Sequence, residues 1–248
     1  MTAFSLMAYI LWIYLAASLF RLLFRRVFSE RFPEEHVQRA THGLCASCLA
    51  VAVFFFMPSG SLPTFFSVPH GGGWAIACLA ASFACASGRK AVLISLLPVV
   101  FIAAMAFYFV YQAGFPGSFA SLGSFVAVPV FGAVSFSALC GFLLLAVGFL
   151  WAAGSWVACH VQELSSATVL RIFAVSALFV IIFIPWNSAP YSCWPDALVA
   201  GVDFLLFWTK IFFTAFCLVF FPTRFSTLWR FSALLCAVGA FLLFLALW

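Results

Sequence analysis

The chain has 248 residues, 67% of them hydrophobic and only 7% charged, with a mean hydropathy of +1.23. Soluble domains carry about a quarter charged residues, so the composition excludes an ordinary globular enzyme and describes an integral membrane protein. The formal net charge of +5 is no nucleic-acid signature, because the basic residues follow the loops between apolar runs.

Eight apolar segments follow one another: 4–24, 43–57, 74–87, 90–113, 124–153, 168–184, 198–221 and 230–248. A helix needs about 20 residues to cross hydrocarbon, so the second and third are short and the fifth is long. The runs are continuous rather than alternating, which predicts helices and argues against a β-barrel. The fold class is therefore an all-α, polytopic membrane bundle, with residues 1–248 as a single transmembrane domain. The first segment has neither a basic leader nor a small-residue cleavage site and is read as a span.

The first connection, from Arg25 to His42, is the richest polar stretch. It holds Arg25, Arg26, Arg31, Glu34, Glu35, His36 and Arg39. Two readings stand: a cavity entrance or partner-docking loop, and a solvated positive anchor. Pro33 interrupts any helix there, so Glu34 and Glu35 open a new one, where acid suits the first turn. Cys45 and Cys48 form a C-x-x-C behind His42. With no second cysteine pair in sequence nearby, no metal site is assigned, and the nine cysteines are treated as small packing residues.

The fifth connection, 154–167, supplies His160 and Glu163 at i, i+3. The pair suits a proton relay or an ordinary interfacial turn. Arg171 stands just inside the sixth segment, where snorkelling to the basic side competes with an essential intramembrane arginine. The seventh segment holds Asp203 and Lys210 inside its apolar run. Seven residues are about two helical turns, so both lie on nearly one face, roughly 10 Å apart along the axis. Charges in hydrocarbon are expensive and tend to face a bundle interior or a proton route.

Loop charges set the orientation. Arg21, Arg25, Arg26, Arg31 and Arg39 lie in or beside the first connection, Arg89 and Lys90 in the third, Arg171 beside the fifth, and Arg224 and Arg230 in the seventh. The second, fourth and sixth connections have no Lys or Arg. The positive-inside bias puts the odd connections in the cytoplasm or matrix and both termini on the opposite face. Asp203 then lies about a turn and a half inside the termini's face and Lys210 near the midplane. Snorkelling suits Asp203 better than Lys210, so Lys210 is expected to face the protein and Asp203 to be the more dispensable. No P-loop, GxGxxG, GxSxG or HExxH pattern occurs, which leaves nucleotide-binding and hydrolase readings without support.

With these features on the page, the chain resembles the core membrane subunit 1 of respiratory complex I, the NADH:ubiquinone oxidoreductase, in shortened form. Ala86-Ser-Gly-Arg-Lys-Ala-Val-Leu-Ile-Ser-Leu96 is similar to that family's "ASNSKYALLGAL" stretch. Phe207-Trp-Thr-Lys-Ile-Phe-Phe, with Phe221-Pro-Thr-Arg-Phe-Ser-Thr-Leu-Trp-Arg230, resembles its closing region, and Arg25-Arg26 with Arg31-Phe-Pro33 resembles the stretch after its first helix. The family's acid-rich loop has shrunk to 154–167 with Glu163, and Phe24 stands where a glutamate precedes the first basic pair.

The resemblance implies eight transmembrane helices with both termini away from the matrix, in a mitochondrial inner membrane or a bacterial plasma membrane. It implies partner subunits of a large respiratory complex, ubiquinone as the substrate of that complex, and no redox cofactor or metal on this chain. Arg25, Arg26 and Arg31 would border the quinone cavity, Glu163 would remain from the acidic loop, and Lys210 would match a lysine of the seventh helix. Two other classes stay open. Leu170-Arg171-Ile-Phe173 resembles the essential-arginine helix of the stator subunit a of rotary ATP synthases. A small-solute carrier or assembly subunit would use Asp203 and Lys210 as a coupling pair, although the absence of an internal repeat weakens a carrier.

Overall fold

A computed structural model describes residues 3–27, 40–56, 71–86, 99, 103, 136–160, 166–184, 195–224, 234 and 237–242. Every regular element among these residues is helical. The longer helices are α1 (Ala3–Val27), α2 (Ala40–Phe55), α3 (Gly71–Ala86), α4 (Phe136–His160), α5 (Ser166–Phe183) and α6 (Asp196–Arg224). Val99, Ala103, Leu234 and residues 237–242 are also helical. Helices satisfy their own backbone hydrogen bonds, which is what an apolar chain needs in lipid.

Three stretches are long and apolar enough to cross a membrane: Ser5–Phe24, Ser166–Phe183 and Asp196–Phe220. α2 and α3, at 16 residues each, reach only about 24 Å, less than a typical hydrocarbon core. α4 runs on to His160, through residues 154–160 that the sequence reading assigns to the fifth connection. Gly154 alone does not break it: a glycine inside a helix costs only about 1 kcal/mol against alanine, and Trp-Val-Ala-Cys beyond it contains no helix breaker. The long fifth segment starts, as a described helix, at Phe136.

The bundle is organised around α5. It packs against α1, α2, α3, α4 and α6, and every residue from Ala167 to Phe183 is buried. A helix apolar on all sides belongs at the centre of such a bundle. α1 and α6 are peripheral and show two faces. α1 buries Tyr9, Ile13, Ala16, Ala17, Phe20 and Phe24, while Met7, Leu11, Leu15, Leu19 and Leu22 are exposed. α6 likewise exposes Leu198, Leu205, Leu206, Phe213 and Phe216. A helix facing water would carry polar groups there, so these outer faces fit lipid.

Two kinds of packing join the helices. Large aromatics fill the centre: Trp208 of α6 stacks on Phe54 of α2 at 5.7 Å and meets Trp12 of α1 edge-on at 5.8 Å and Phe173 of α5 at 6.3 Å. Phe20 of α1 meets Phe173 at 5.2 Å and Phe212 at 6.2 Å. Small residues join α2 to α3, where Ala46, Ala50, Ala75 and Ser82 are fully buried. Ser82 Oγ donates to the Ala46 carbonyl at 2.6 Å, a bond that requires close helix axes. The 237–242 helix approaches α4 just as closely. A Cβ added at Gly239 would lie 2.8 Å from the Gly141 carbonyl oxygen and 3.0 Å from Leu145 N.

Candidate functional site

Among the described residues, Lys210 reaches the C-terminal end of α5, and Arg21 and Arg171 lie toward its N-terminal end. At its C-terminal end the helix stops where Pro185 removes the next donor. Ile184 N still donates to the Val180 carbonyl at 2.9 Å. The last carbonyls of any helix need donors from outside it. Lys210 Nζ donates to the Ile184 carbonyl at 3.4 Å across 26 residues of sequence. A cation there also matches the negative end of the helix dipole.

α6 delivers that lysine. Pro195 caps its start, its carbonyl accepting from Leu198 N at 2.9 Å and Val199 N at 3.1 Å. Asp196 sits in the first turn, where acid complements the dipole. The helix then carries Asp203 and Lys210 on one face, as their spacing predicts. Asp203 is buried at 4% exposure. Lys210 is half-buried. The snorkelling account of Asp203 is therefore replaced: the carboxylate is enclosed by protein, more completely than the lysine. Thr214, buried on α6, follows Lys210 one turn later on a neighbouring position.

The N-terminal end of α5 meets two arginines. Arg21 of α1 donates from its guanidinium to Ser166 Oγ at 3.2 Å. Arg171, one turn and a half into α5, is 3% exposed. Its Nε donates to the Ala167 carbonyl at 3.1 Å, and its guanidinium carbon lies 5.9 Å from the ring centroids of both Phe83 and Trp156. Those rings come from α3 and α4 and meet each other edge-on at 4.7 Å. Their electron-rich faces offset part of the cost of holding a cation in the core, about 2 kcal/mol for a desolvated contact. Arg171 does not snorkel out of the bundle; it is sealed inside.

The remaining sequence candidates divide by position. Arg25 and Arg26 fall in the last turn of α1 and His160 ends α4; their side chains lie outside the described residues. Arg31, Glu34, Glu35, His36, Arg39 and Glu163 lie wholly outside them. Thirteen residues of α5, about 20 Å, separate Arg171 from the carbonyl that Lys210 caps, so the arginine and the Asp203–Lys210 pair form two centres. Among the described residues no group of three His, Cys, Asp or Glu could hold a metal ion. The arrangement at the α5 C-terminus is a carboxylate and an amine on one helix face, able to hold and exchange a proton inside an apolar bundle.

Sequence reasoning did not identify Arg21 as a partner of α5, nor the Ile184 carbonyl as the acceptor for Lys210. Pro185, which forces a helix end with unsatisfied carbonyls, is the sequence signal that could have found the second. No protein-family model matches the chain, and no curated protein matches it in sequence.

Proposed function

We propose that this chain is the core membrane subunit 1 of a respiratory complex I, helping to form the quinone cavity and to couple quinone reduction by NADH to proton translocation. The observation that carries the reading is the 207–230 region. Its lysine stands in the run that resembles the family's closing helix, and that same lysine turns from α6 to the end of α5, about two turns from a buried carboxylate on the same helix face. On this reading the membrane span count is eight, and both termini lie away from the matrix or cytoplasm. The host is a mitochondrial inner membrane or a bacterial plasma membrane, and the chain itself holds no redox centre. Arg25, Arg26, Arg31, Glu34, Glu35, His36 and Arg39 then belong to the first-loop border of the cavity. Lys210, Asp203, Glu163, His160 and Arg171 are the proton-path candidates.

Burial of Arg171 weighs against the rotary stator. An arginine that serves the carboxylates of a rotor ring must reach the outer surface of its subunit, whereas this one faces Phe83 and Trp156. A carrier or assembly subunit would retain the Asp203–Lys210 pair without any quinone chemistry. The test is Lys210→Met in the native complex. NADH:quinone reductase activity coupled to proton uptake is expected to fall at least about tenfold, near 1.4 kcal/mol in barrier, with the chain still assembled. Coupling unchanged in an assembled Lys210→Met complex would contradict the proposal.

A further inference from the structure

The α2–α3 pair contains a feature that the proton-path residues do not use. Cys45, in the second turn of α2, directs its thiol at the sulfur of Cys85, in the last turn of α3, with Sγ to Sγ 3.7 Å. The two cysteines are 40 residues apart in sequence, and both are thiols. Cys45 is exposed and Cys85 partly so.

We propose that Cys45 and Cys85 form a redox-convertible dithiol that exchanges with low-molecular-weight disulfides of the glutathione class and, once oxidised, locks α2 to α3. Three observations support it. A disulfide requires the sulfurs to close to about 2.05 Å with Cβ atoms near 3.8 Å, and these two thiols are already in contact at 3.7 Å. The helix axes beside them are held close by Ser82 Oγ on the Ala46 carbonyl at 2.6 Å, with Ser82 one turn before Cys85 and Ala46 next to Cys45. The pair also sits at one end of its helices, within six residues of Ala40 and one of Ala86. Arg89 and Lys90 follow in sequence, so a water-soluble disulfide can approach from the polar boundary.

The chemistry balances in two exchanges. The Cys45 thiolate attacks one sulfur of the external disulfide, forming a mixed disulfide and releasing the first small thiolate. The Cys85 thiolate then attacks the Cys45 sulfur, forming the Cys45–Cys85 bond and releasing the second. The two protons lost by the protein thiols pass to the two leaving thiolates. The protein dithiol is oxidised by two electrons and the external disulfide is reduced by two. Exposure makes Cys45 the entry thiol and Cys85 the resolving one. Cys48, exposed one turn further along α2, is the competitor that the experiment must separate.

The full-length chain in lipid nanodiscs is equilibrated with defined ratios of reduced and oxidised glutathione, acid-quenched, alkylated, digested and mapped by mass spectrometry. The expected product is a Cys45–Cys85 cross-link that survives in Cys48→Ser. In Cys85→Ser, the glutathione mixed disulfide at Cys45 is expected to rise at least about tenfold over the parent chain, because no neighbouring thiol resolves it at high effective concentration. Equal glutathionylation of Cys45 with and without Cys85, a dominant Cys45–Cys48 link, or free thiols at every ratio would each overturn the proposal. If Cys85→Ser fails to accumulate, the linkage map of the parent chain decides alone.

Discussion

A lysine half-buried among apolar helices has to find acceptors, and Lys210 finds the Ile184 carbonyl just past the end of α5, with Asp203 buried about two turns earlier on its own helix face. Removing one member of such a set leaves the other charge without compensation. Asp203→Asn keeps the shape and removes the charge, so proton-coupled activity is expected to fall with Lys210→Met, while the double variant falls little further than either alone. Additive losses in a double-mutant cycle of coupled activity would show that the two act separately. Arg171 makes a different prediction. Arg171→Ala removes the cation from Phe83 and Trp156 and opens a void beside Trp156, at an expected loss of about 3 kcal/mol. Arg171→Lys keeps the charge but not the planar face and should restore less than half. Thermal unfolding of the purified chain in detergent measures both, and a neutral Arg171→Ala would remove its structural role.

Among the helices, Trp208 joins α6 to three others. It is 2% exposed and reaches α1, α2 and α5 through rings on each. Trp208→Ala is expected to destabilise the bundle by about 3–5 kcal/mol, whereas Phe213→Ala, exposed on the outer face of the same helix, should change it far less. Equal effects in a detergent unfolding series would contradict a central role for Trp208. Gly239 supplies the steric counterpart: its alanine would set a methyl against the Gly141 carbonyl. The 237–242 helix is then expected to lose its packing on α4, read as faster proteolysis near the C-terminus. The elements were legible in the sequence for α1, α5 and α6, whose apolar runs are long; the runs 90–113 and 230–248 lie mostly outside the described residues. The end of α4 was not, because Gly154-Ser155 and His160 resemble a loop by composition while the backbone continues helical through buried Trp156. Asp203 and Lys210 shared a face by spacing alone. Their partner on α5, the rings around Arg171 and the contact between Cys45 and Cys85 join segments far apart in sequence, and a one-dimensional pattern carries no record of such contacts.

For the described helices as a whole, a helix buried on every side at the centre and exposed leucines at the edge describe a bundle assembled by packing of aromatic and small residues. Charge distribution along the loops predicts that a tag before α1 and one placed at residues 28–39 are reached by protease from opposite faces of the membrane; access from one face would reverse the orientation argument. The complex I proposal is a statement about which subunits this chain joins. Its most direct test is to purify the chain from its native membrane in mild detergent and identify the co-purifying subunits by mass spectrometry, with NADH:quinone reductase activity assayed on the same fraction. The account predicts iron–sulfur and NADH-oxidising subunits and a quinone-reducing fraction. Recovery of the chain in an assembly without any quinone chemistry would contradict it.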